Sequence, residues 1–360
     1  MMDVLIAGGG TGGHLFPGIA LAQEVRRRDP NARIVFVGSP RGIEKHAVPK
    51  AGFDLRLIPV SGLRSKGLKE RLLGLMRLPV AMVQAFWVVA RFRPDVAVSC
   101  GGYAAGPAVL AARILGVPCI VMEQNAVPGV TNRILGKVAH RVISALPVKG
   151  FSPEKVRVLG NPVRSDLLRV RDTGYTLSET PQILLFGGSQ GARALNEAMM
   201  ELAPVLDQEG LNVRIVHQTG RLDYERVKEH YKTLGIERIE ARQFIDDMAT
   251  EYEAADLVIC RAGATTIAEL TVVGRPSILV PFPFAVDDHQ TANALELENQ
   301  GAALHLPQTE LSAQKILELL KGFLADSDKL KTMAQASFDA GRPDAVSQIF
   351  DALKEEIKHV

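Results

Sequence analysis

The sequence predicts an α/β protein with two Rossmann-like, doubly wound parallel-sheet domains. The first observation is an internal repeat: VLIAGGGTGG from Val4 aligns with ILLFGGSQGA from Ile183, and DVAVSCGGYAAG from Asp95 matches DLVICRAGATT from Asp256. The second observation is that each repeated unit is a short apolar strand, a glycine turn and the start of a helix. Such alternation forms parallel sheets through right-handed crossovers. Two pairs of units in two halves indicate two doubly wound sheets.

The boundary between the two domains is predicted near Asn161-Pro162, which favours a turn after the strand-like VRVLG segment. We expect an N-terminal domain over 1–162, a C-terminal domain over 163–341 and a last helical segment over 342–360. The pattern of this last segment allows it to pack on either domain, including back on the N-terminal one.

Composition places the chain among ordinary folded proteins. Hydrophobic residues make up 47% and charged residues 23%, which excludes an intrinsically disordered chain. No apolar run reaches the roughly 18 residues that a membrane-spanning helix needs. The opening MMDVLIAGGG lacks the features of a signal peptide, and the three cysteines have no CxxC spacing. We therefore expect a cytoplasmic protein with reduced thiols.

The small net charge of +2 hides a strong asymmetry. Residues 1–162 carry 22 Lys and Arg against 9 Asp and Glu, a balance of +13, whereas the remaining residues have a balance of −11. A basic first half is expected to meet an anionic partner. Nucleic acid, phosphate groups and an anionic membrane are the candidates.

The glycine-rich loop GGGTGGHLFPG follows the first strand, from Gly8. Such a loop lets backbone N–H groups approach a diphosphate at the start of a helix. No acid follows the second strand, which argues against nicotinamide binding, and no GKS or GKT is present, which excludes a nucleoside triphosphatase loop. A tight strand–helix turn without a ligand is the alternative.

His14 ends this loop and is the candidate catalytic residue. An imidazole can accept a proton from an attacking hydroxyl near neutral pH. A histidine that only packs against the loop or caps the helix is the alternative.

In the second half, polar side chains follow the strands of the repeat. Ser189 and Gln190 add donors to the second glycine loop, and Arg261 ends a strand before the helix start at Ala264, Thr265 and Thr266. Glu269 lies one turn into that helix, where a carboxylate can accept hydrogen bonds from both ribose hydroxyls, although an acid is also favoured there by the helix dipole. A cluster suited to sugar hydroxyls, or to helix capping, surrounds the next helix start: Asp287, Asp288, His289, Gln290 and Asn293.

A metal site is not expected. The sequence has no DxD, no HExxH and no cysteine–histidine cluster. Asp287-Asp288-His289 is a weak candidate, since three consecutive side chains rarely point to one centre.

The segment from Arg64 to Arg93 is the candidate membrane contact. It begins with basic residues and continues into an apolar stretch that contains the only tryptophan, Trp87. An apolar patch that includes Leu75, Phe86 and Trp87, with a cationic rim, suits the headgroup layer of an anionic membrane. A buried crossover helix is the alternative.

Six motifs in matching order resemble the MurG family of peptidoglycan N-acetylglucosaminyltransferases, from about residue 4 to about residue 305. They are GGGTGGHLFPGIALA, GGYAAGP, EQNAVPG, GNPVR, GGSQGARALN and CRAGATTIAEL with HQTANA. The resemblance implies the GT-B arrangement, in which the two domains face a cleft. It also implies transfer of N-acetylglucosamine from UDP-N-acetylglucosamine to the C4 hydroxyl of undecaprenyl-diphospho-N-acetylmuramoyl-pentapeptide (lipid I), with inversion, to give lipid II.

The resemblance also implies residue roles. The C-terminal half would hold the donor through Arg164, Ser189, Ile245, Arg261, Ala264, Thr265, Thr266, Glu269, His289 and Gln290. The N-terminal half would touch the donor sugar through Thr11, Gly12, Gly13 and Asn125, and would meet the acceptor near Gly102 and Tyr103. No cofactor is implied.

Further implied partners are the anionic inner-membrane surface, with the chain on its cytoplasmic face, and other cell-wall synthesis proteins; nucleic acid is not among them. The alternatives are another GT-B glycosyltransferase with a lipid acceptor, a sugar-nucleotide 2-epimerase, a nicotinamide dehydrogenase and a non-catalytic membrane scaffold.

Overall fold

The computed structural model describes residues 1–60, 68–188 and 190–358, with the backbone alone for 68–76. These residues form two compact units. Unit 1 comprises Met1–Val163 together with Pro343–Val360, and unit 2 comprises Arg164–Arg342.

Unit 1 is built on a seven-stranded parallel sheet in the order β3-β2-β1-β4-β5-β6-β7. The strands are β1 (Asp3–Gly8), β2 (Arg33–Gly38), β3 (Asp54–Leu57), β4 (Val96–Gly101), β5 (Cys119–Glu123), β6 (Arg141–Ser144) and β7 (Val156–Val158). The helices between them are α1 (Gly12–Arg28), α2 (Glu44–Lys50), α3 (Leu68–Phe92), α4 (Ala105–Ile114) and α5 (Val130–Val138).

The central strands of this sheet are buried on both faces, as their continuous apolar sequences require. Successive residues of β1 alternate between two cores. Val4 and Ile6 pack in the core that contains α1, while Leu5 and Ala7 pack in the core that contains α3, α4 and α5. The loops at the carboxyl ends of these strands are therefore anchored in a buried, closely packed sheet.

Unit 2 repeats the design with a six-stranded parallel sheet in the order β10-β9-β8-β11-β12-β13. The strands are β8 (Gln182–Phe186), β9 (Arg214–Gln218), β10 (Ile239–Arg242), β11 (Leu257–Cys260), β12 (Ser277–Leu279) and β13 (Leu304–His305). The helices are α6 (Asp166–Thr173), α7 (Arg193–Gln208), α8 (Tyr224–Thr233), α9 (Met248–Ala254), α10 (Ala264–Val273), α11 (His289–Asn299), α12 (Ala313–Ala325) and α13 (Ser327–Ala340).

The predicted fold class is confirmed, because each unit is a Rossmann-like layer of parallel strands covered by helices.

The acids that begin the second repeated motif, Asp95 and Asp256, make the same hydrogen bond in the two units. Asp95 accepts the backbone N–H of Asp3 at 2.7 Å, and Asp256 accepts that of Gln182 at 2.7 Å. Each carboxylate thus binds the first N–H of the neighbouring central strand, β1 or β8.

The last helix, α14 (Ala345–Lys358), packs on unit 1. Ile349 and Leu353 are fully buried in the core that contains α1. The Arg141 guanidinium forms an ion pair with Glu356 at 2.7 Å, which adds a polar contact at the edge of this core.

Helix α3 has two unlike sides. Ala81, Ala85 and Val89 are buried against the rest of unit 1, whereas Val83 and Trp87 are 59% and 71% exposed. Among the described residues, no helix combines the length and the apolar character required to cross a bilayer.

Candidate active site

The topology places the repeated motifs at the point of each sheet where ligands usually bind. Strand order reverses between β1 and β4 in unit 1 and between β8 and β11 in unit 2. Ligands of open α/β sheets bind outside the carboxyl ends of the strands at such a point. The first glycine loop and the Gly101-Gly102 turn therefore form one candidate site, and the second glycine loop and the Arg261 segment form another.

The first glycine loop is held by a buried carboxylate that sequence reasoning missed. Glu44 on α2 is 1% exposed. Its Oε2 accepts the N–H of Gly10 at 2.8 Å, and its Oε1 accepts the N–H and the hydroxyl of Ser39 at 2.8 Å each. A Cβ at Gly9 would lie 2.4 Å from the Glu44 carboxyl carbon, so glycine is required there.

This carboxylate engages one N–H group of the loop that is predicted to approach a diphosphate. Burial raises the pKa of Glu44, but the hydrogen bonds from Gly10 and Ser39 outweigh it and keep the pKa below its ordinary value. The N–H of Gly10 is therefore committed to an anion of the protein. The N–H groups that start α1, at Gly12 and Gly13, have no acceptor within the helix and are the ones suited to a ligand. Thr11 precedes them as the exposed N-cap residue.

His14 lies in the first turn of α1 rather than in the loop. Its Nδ1 is 3.3 Å from Oε1 of Gln124, which follows β5. A Cβ at Gly101 would lie 2.9 Å from that Nδ1, and one at Gly102 would lie 2.5 Å from the carbonyl oxygen of Gly9. The two glycines thus let the turn after β4 approach the histidine and the first glycine loop. The neighbouring Tyr103 side chain is half exposed.

The EQN segment after β5 is organised by Glu123. This carboxylate is buried and accepts hydrogen bonds from the N–H of Asn125 and of Gly129 and from Nδ2 of Asn132, at 2.9–3.1 Å. The contact with Asn132 ties the segment to α5. Asn125 is thereby held at the carboxyl edge of the sheet, where the resemblance places a donor contact.

In unit 2 a buried amide joins two of the predicted donor segments. Oε1 of Gln218 accepts the N–H of Ile245 at 2.8 Å, and its Nε2 donates to the carbonyl of Gly188 at 3.2 Å. Ile245 is itself buried, at 4% exposure, and its backbone N–H is engaged by Gln218. Ser189 lies outside the described residues. The adjacent Phe244 ring is 54% exposed and offers a face for stacking.

Glu269 sits on α10 as the carboxylate of the predicted ribose site. Its Oε2 accepts the Tyr252 hydroxyl at 3.1 Å, and its Oε1 is 3.9 Å from Nε of Arg164. Burial raises the pKa of Glu269, and Arg164 acts against this shift. Ala264, Thr265 and Thr266 form the first turn of the same helix, where backbone N–H groups face outward from the helix end.

Arg261 holds the segment that follows β12. Its Nη1 donates to the carbonyls of Val280 and Pro281 at 3.1 and 2.9 Å, and its Nη2 donates to Oε1 of Gln308 at 2.7 Å. Burial lowers the pKa of Arg261 to about 10. The guanidinium therefore binds protein carbonyls and positions the segment after β12.

The same segment contains the last two predicted contacts. Oε1 of Gln290 accepts the N–H of Phe282 at 2.9 Å, and Nδ1 of His289 donates to the carbonyl of Val286 at 2.8 Å. Both residues begin α11, and both are only partly exposed. Within the described residues, no group of three or more His, Cys, Asp or Glu is placed to hold a metal ion.

The predicted membrane contact is only partly covered by the structure. Phe86 and Trp87 are 39% and 71% exposed, while the Leu75 side chain lies outside the described residues. Sequence reasoning missed that α4 and α5, the helices that follow α3, also carry exposed apolar side chains. The apolar face of unit 1 comprises Leu78, Val80, Val83, Phe86 and Trp87 on α3, Ile114 at the end of α4, and Ile134 and Val138 on α5.

Comparison with known proteins gives consistent matches. Residues 4–144 match the glycosyltransferase family 28 N-terminal domain, and residues 182–349 match the glycosyltransferase family 28 C-terminal domain. The chain is similar to the UDP-N-acetylglucosamine–N-acetylmuramyl-(pentapeptide) pyrophosphoryl-undecaprenol N-acetylglucosamine transferases of Myxococcus xanthus and Syntrophus aciditrophicus. Identity to the first is 46%, covering 98% of this chain and 92% of that protein, and identity to the second is 43%, covering 99% of each.

A solved structure is also similar over its whole length. The crystal structure of Acinetobacter baumannii MurG superposes with a TM-score of 0.81 at 32% sequence identity. The match covers 99% of this chain and 100% of that one.

Proposed function

Since the chain belongs to glycosyltransferase family 28, we propose that it transfers N-acetylglucosamine from UDP-N-acetylglucosamine to lipid I. The product is lipid II, the disaccharide-bearing lipid of peptidoglycan synthesis. The observation that carries this proposal is the similarity, over nearly the full chain, to transferases named for this reaction.

Unit 2 holds the donor in this proposal. The Glu269 carboxylate accepts the ribose hydroxyls, and the Tyr252 hydroxyl fixes its orientation. The backbone at Ile245, held by Gln218, meets the base. The N-terminus of α10 and the half-exposed Arg164 face the diphosphate. Fixed donors of this kind stabilise the charge that develops on a leaving diphosphate.

Unit 1 supplies the proton acceptor. The C4 hydroxyl of the muramoyl sugar attacks the anomeric carbon, its proton passes to Nε2 of His14, and the bond to UDP breaks in the same inverting displacement. Gly102 and Tyr103, beside His14, face the acceptor. Thr11, Gly12, Gly13 and Asn125 offer polar groups to the sugar that is transferred.

The acceptor class is tested by UDP release. With UDP-N-acetylglucosamine as donor, we expect UDP release with a short-chain lipid I analogue and none above background with diacylglycerol. Release with diacylglycerol alone would support the alternative lipid glycosyltransferase. Release of UDP without any acceptor would indicate hydrolysis or epimerisation and would contradict the proposal.

We further propose that the apolar face of unit 1 binds the anionic inner-membrane surface and that the chain works on the cytoplasmic side of the membrane. Exposed Arg77 and Arg91 lie on the same helix, α3, and exposed Lys137 lies next to Val138 on α5. Cations beside an anionic surface contribute roughly 1 kcal/mol each. Other cell-wall synthesis proteins are further partners at this surface.

Changing Val83→Ser together with Trp87→Ser should release the protein from anionic vesicles. These are the two most exposed apolar side chains of the described part of α3, so the fold should persist. Salt should weaken binding of the unchanged protein, because charges are screened over about 10 Å at 0.1 M. Sedimentation with phosphatidylglycerol vesicles measures both effects.

A matched control removes two exposed leucines from unit 2, by Leu222→Ser with Leu234→Ser, which are 77% and 45% exposed. This variant should sediment like the unchanged protein. Equal loss in the two variants, or full binding of the α3 variant, would show that the apolar face of unit 1 is not the membrane contact.

A further inference from the structure

The amide of Gln124 has only one orientation open to it. Gln124 is 2% exposed, and its Nε2 lies 3.3 Å from the carbonyl oxygen of Met122. A carbonyl can only accept a hydrogen bond, so the NH₂ end of the amide must face Met122. The other end, Oε1, therefore faces the ring of His14 at 3.3 Å.

This orientation fixes the proton on the imidazole. The amide oxygen is an acceptor, so the ring nitrogen that faces it, Nδ1, must carry hydrogen. In a neutral imidazole the second nitrogen, Nε2, then has the lone pair. Gly101 makes the arrangement possible, because a Cβ there would lie 2.9 Å from Nδ1.

We propose that Gln124 is a positioning residue which holds His14 in the Nδ1–H tautomer and so leaves Nε2 as the proton acceptor; this rests on the proposed role of His14. The hydrogen bond survives the reaction, because Nδ1 also carries hydrogen in the imidazolium. A neutral amide orients the ring without adding a negative charge that would hold the transferred proton. Glutamine, rather than a carboxylate, thus suits a base that must release its proton after each turnover.

The buried ionisable groups on the surrounding elements are engaged or neutral. Glu123 on β5 accepts from Gly129 and Asn132, and Glu44 on α2 accepts from Gly10 and Ser39. Burial raises the pKa of the Cys100 thiol on β4 to about 12, so it is uncharged at neutral pH. Two further ionisable side chains on these elements, Tyr103 after β4 and Arg133 on α5, are exposed.

The tautomer can be measured directly by ¹⁵N NMR of the imidazole rings at a pH where they are neutral. The chain has eight histidines, and the His14 signals are assigned by their loss in His14→Gln. His140 is an internal reference for the opposite tautomer, because its Nδ1 accepts the N–H of Cys119 at 3.0 Å. We expect Nδ1–H for His14 in the unchanged protein and loss of that preference in Gln124→Met. An Nε2–H tautomer in the unchanged protein, or the same tautomer in Gln124→Met, would overturn the proposal.

Kinetics give a second readout that a purely structural role would not change. Gln124→Met should lower kcat about 10²-fold, which is the loss of rate typical of a reacting group held out of position. The donor KM should change little. Gln124→Glu keeps an acceptor at Nδ1 and adds a charge, which favours the imidazolium. The pH below which kcat/KM of this variant falls (the acidic limb of its pH profile) should therefore be higher by roughly one pH unit or more.

An unmoved acidic limb in Gln124→Glu, or an unchanged kcat in Gln124→Met, would count against the proposal. If Gln124→Met does not fold, the isosteric Gln124→Glu still provides the test. A His14→Gln variant that keeps its kcat would refute the base role of His14, while the NMR result would still decide whether Gln124 sets the tautomer.

Discussion

Replacing His14 with alanine should lower kcat roughly 10²–10⁴-fold, the usual effect of losing a general base. The attacking hydroxyl must lose its proton as the glycosidic bond forms, and the variant has no group at this position to take it. Affinity for UDP should remain nearly unchanged, because His14 belongs to unit 1 and the proposed nucleotide site belongs to unit 2. Steady-state kinetics and UDP titration measure the two effects separately.

The matched control is His46→Ala, which removes an exposed histidine of α2 in the same unit and should leave kcat unchanged. A near-normal kcat for His14→Ala would refute the base assignment. A loss of UDP affinity large enough to explain the whole defect would make His14 a residue that organises the loop.

Replacing Glu269 with glutamine should raise the donor KM about 5- to 150-fold, which corresponds to about 1–3 kcal/mol for hydroxyls that lose an acceptor. The apo-protein should melt at the same temperature or higher at pH 7. Burial raises the pKa of Glu269, so its contribution to stability is fully present below the unfolded pKa and is lost as pH rises through the folded value. Above the unfolded pKa, burial of this carboxyl therefore costs stability, and the neutral amide removes that cost while it still accepts from Tyr252.

Glu251→Gln is the matched control, because Glu251 is another mostly buried acid of unit 2 but pairs with Arg242 at 2.6 Å. Its loss should lower the melting temperature and leave the donor KM unchanged. An unchanged donor KM in Glu269→Gln would refute the ribose role, and a lower melting temperature would show that Glu269 serves mainly to stabilise the fold.

The fold could be predicted because its signal is local and repeated. The aligned motifs contain the central strands of the two sheets, which pair as β1 with β4 in unit 1 and as β8 with β11 in unit 2. Glycine turns after these strands were visible in the sequence, and the carboxyl ends of parallel strands bring such turns together. The position of α14 could not be predicted, since an amphipathic helix suits either unit.

The residues that hold the candidate site in place by hydrogen bonds could not be predicted, because their partners are distant in sequence. Glu44 reaches Gly10 across 34 residues, Gln124 reaches His14 across 110, and Gln218 reaches Ile245 across 27. No local pattern marks which carboxylate or amide makes such a contact. In the sequence, the glycines that surround Glu44 look like ordinary turn glycines. The structure shows that the Glu44 side chain fills the space beside them.

The central claim is that this chain joins N-acetylglucosamine to lipid I. Its most direct test is incubation of the full chain with sugar-labelled UDP-N-acetylglucosamine and a short-chain lipid I analogue, followed by isolation of the lipid product and NMR of its sugar linkage. We predict a labelled disaccharide with a β-1,4 bond, formed in equal amount with UDP and only when both substrates are present. Label that remains in free sugar or in an epimerised nucleotide, with no lipid-linked disaccharide, would contradict it.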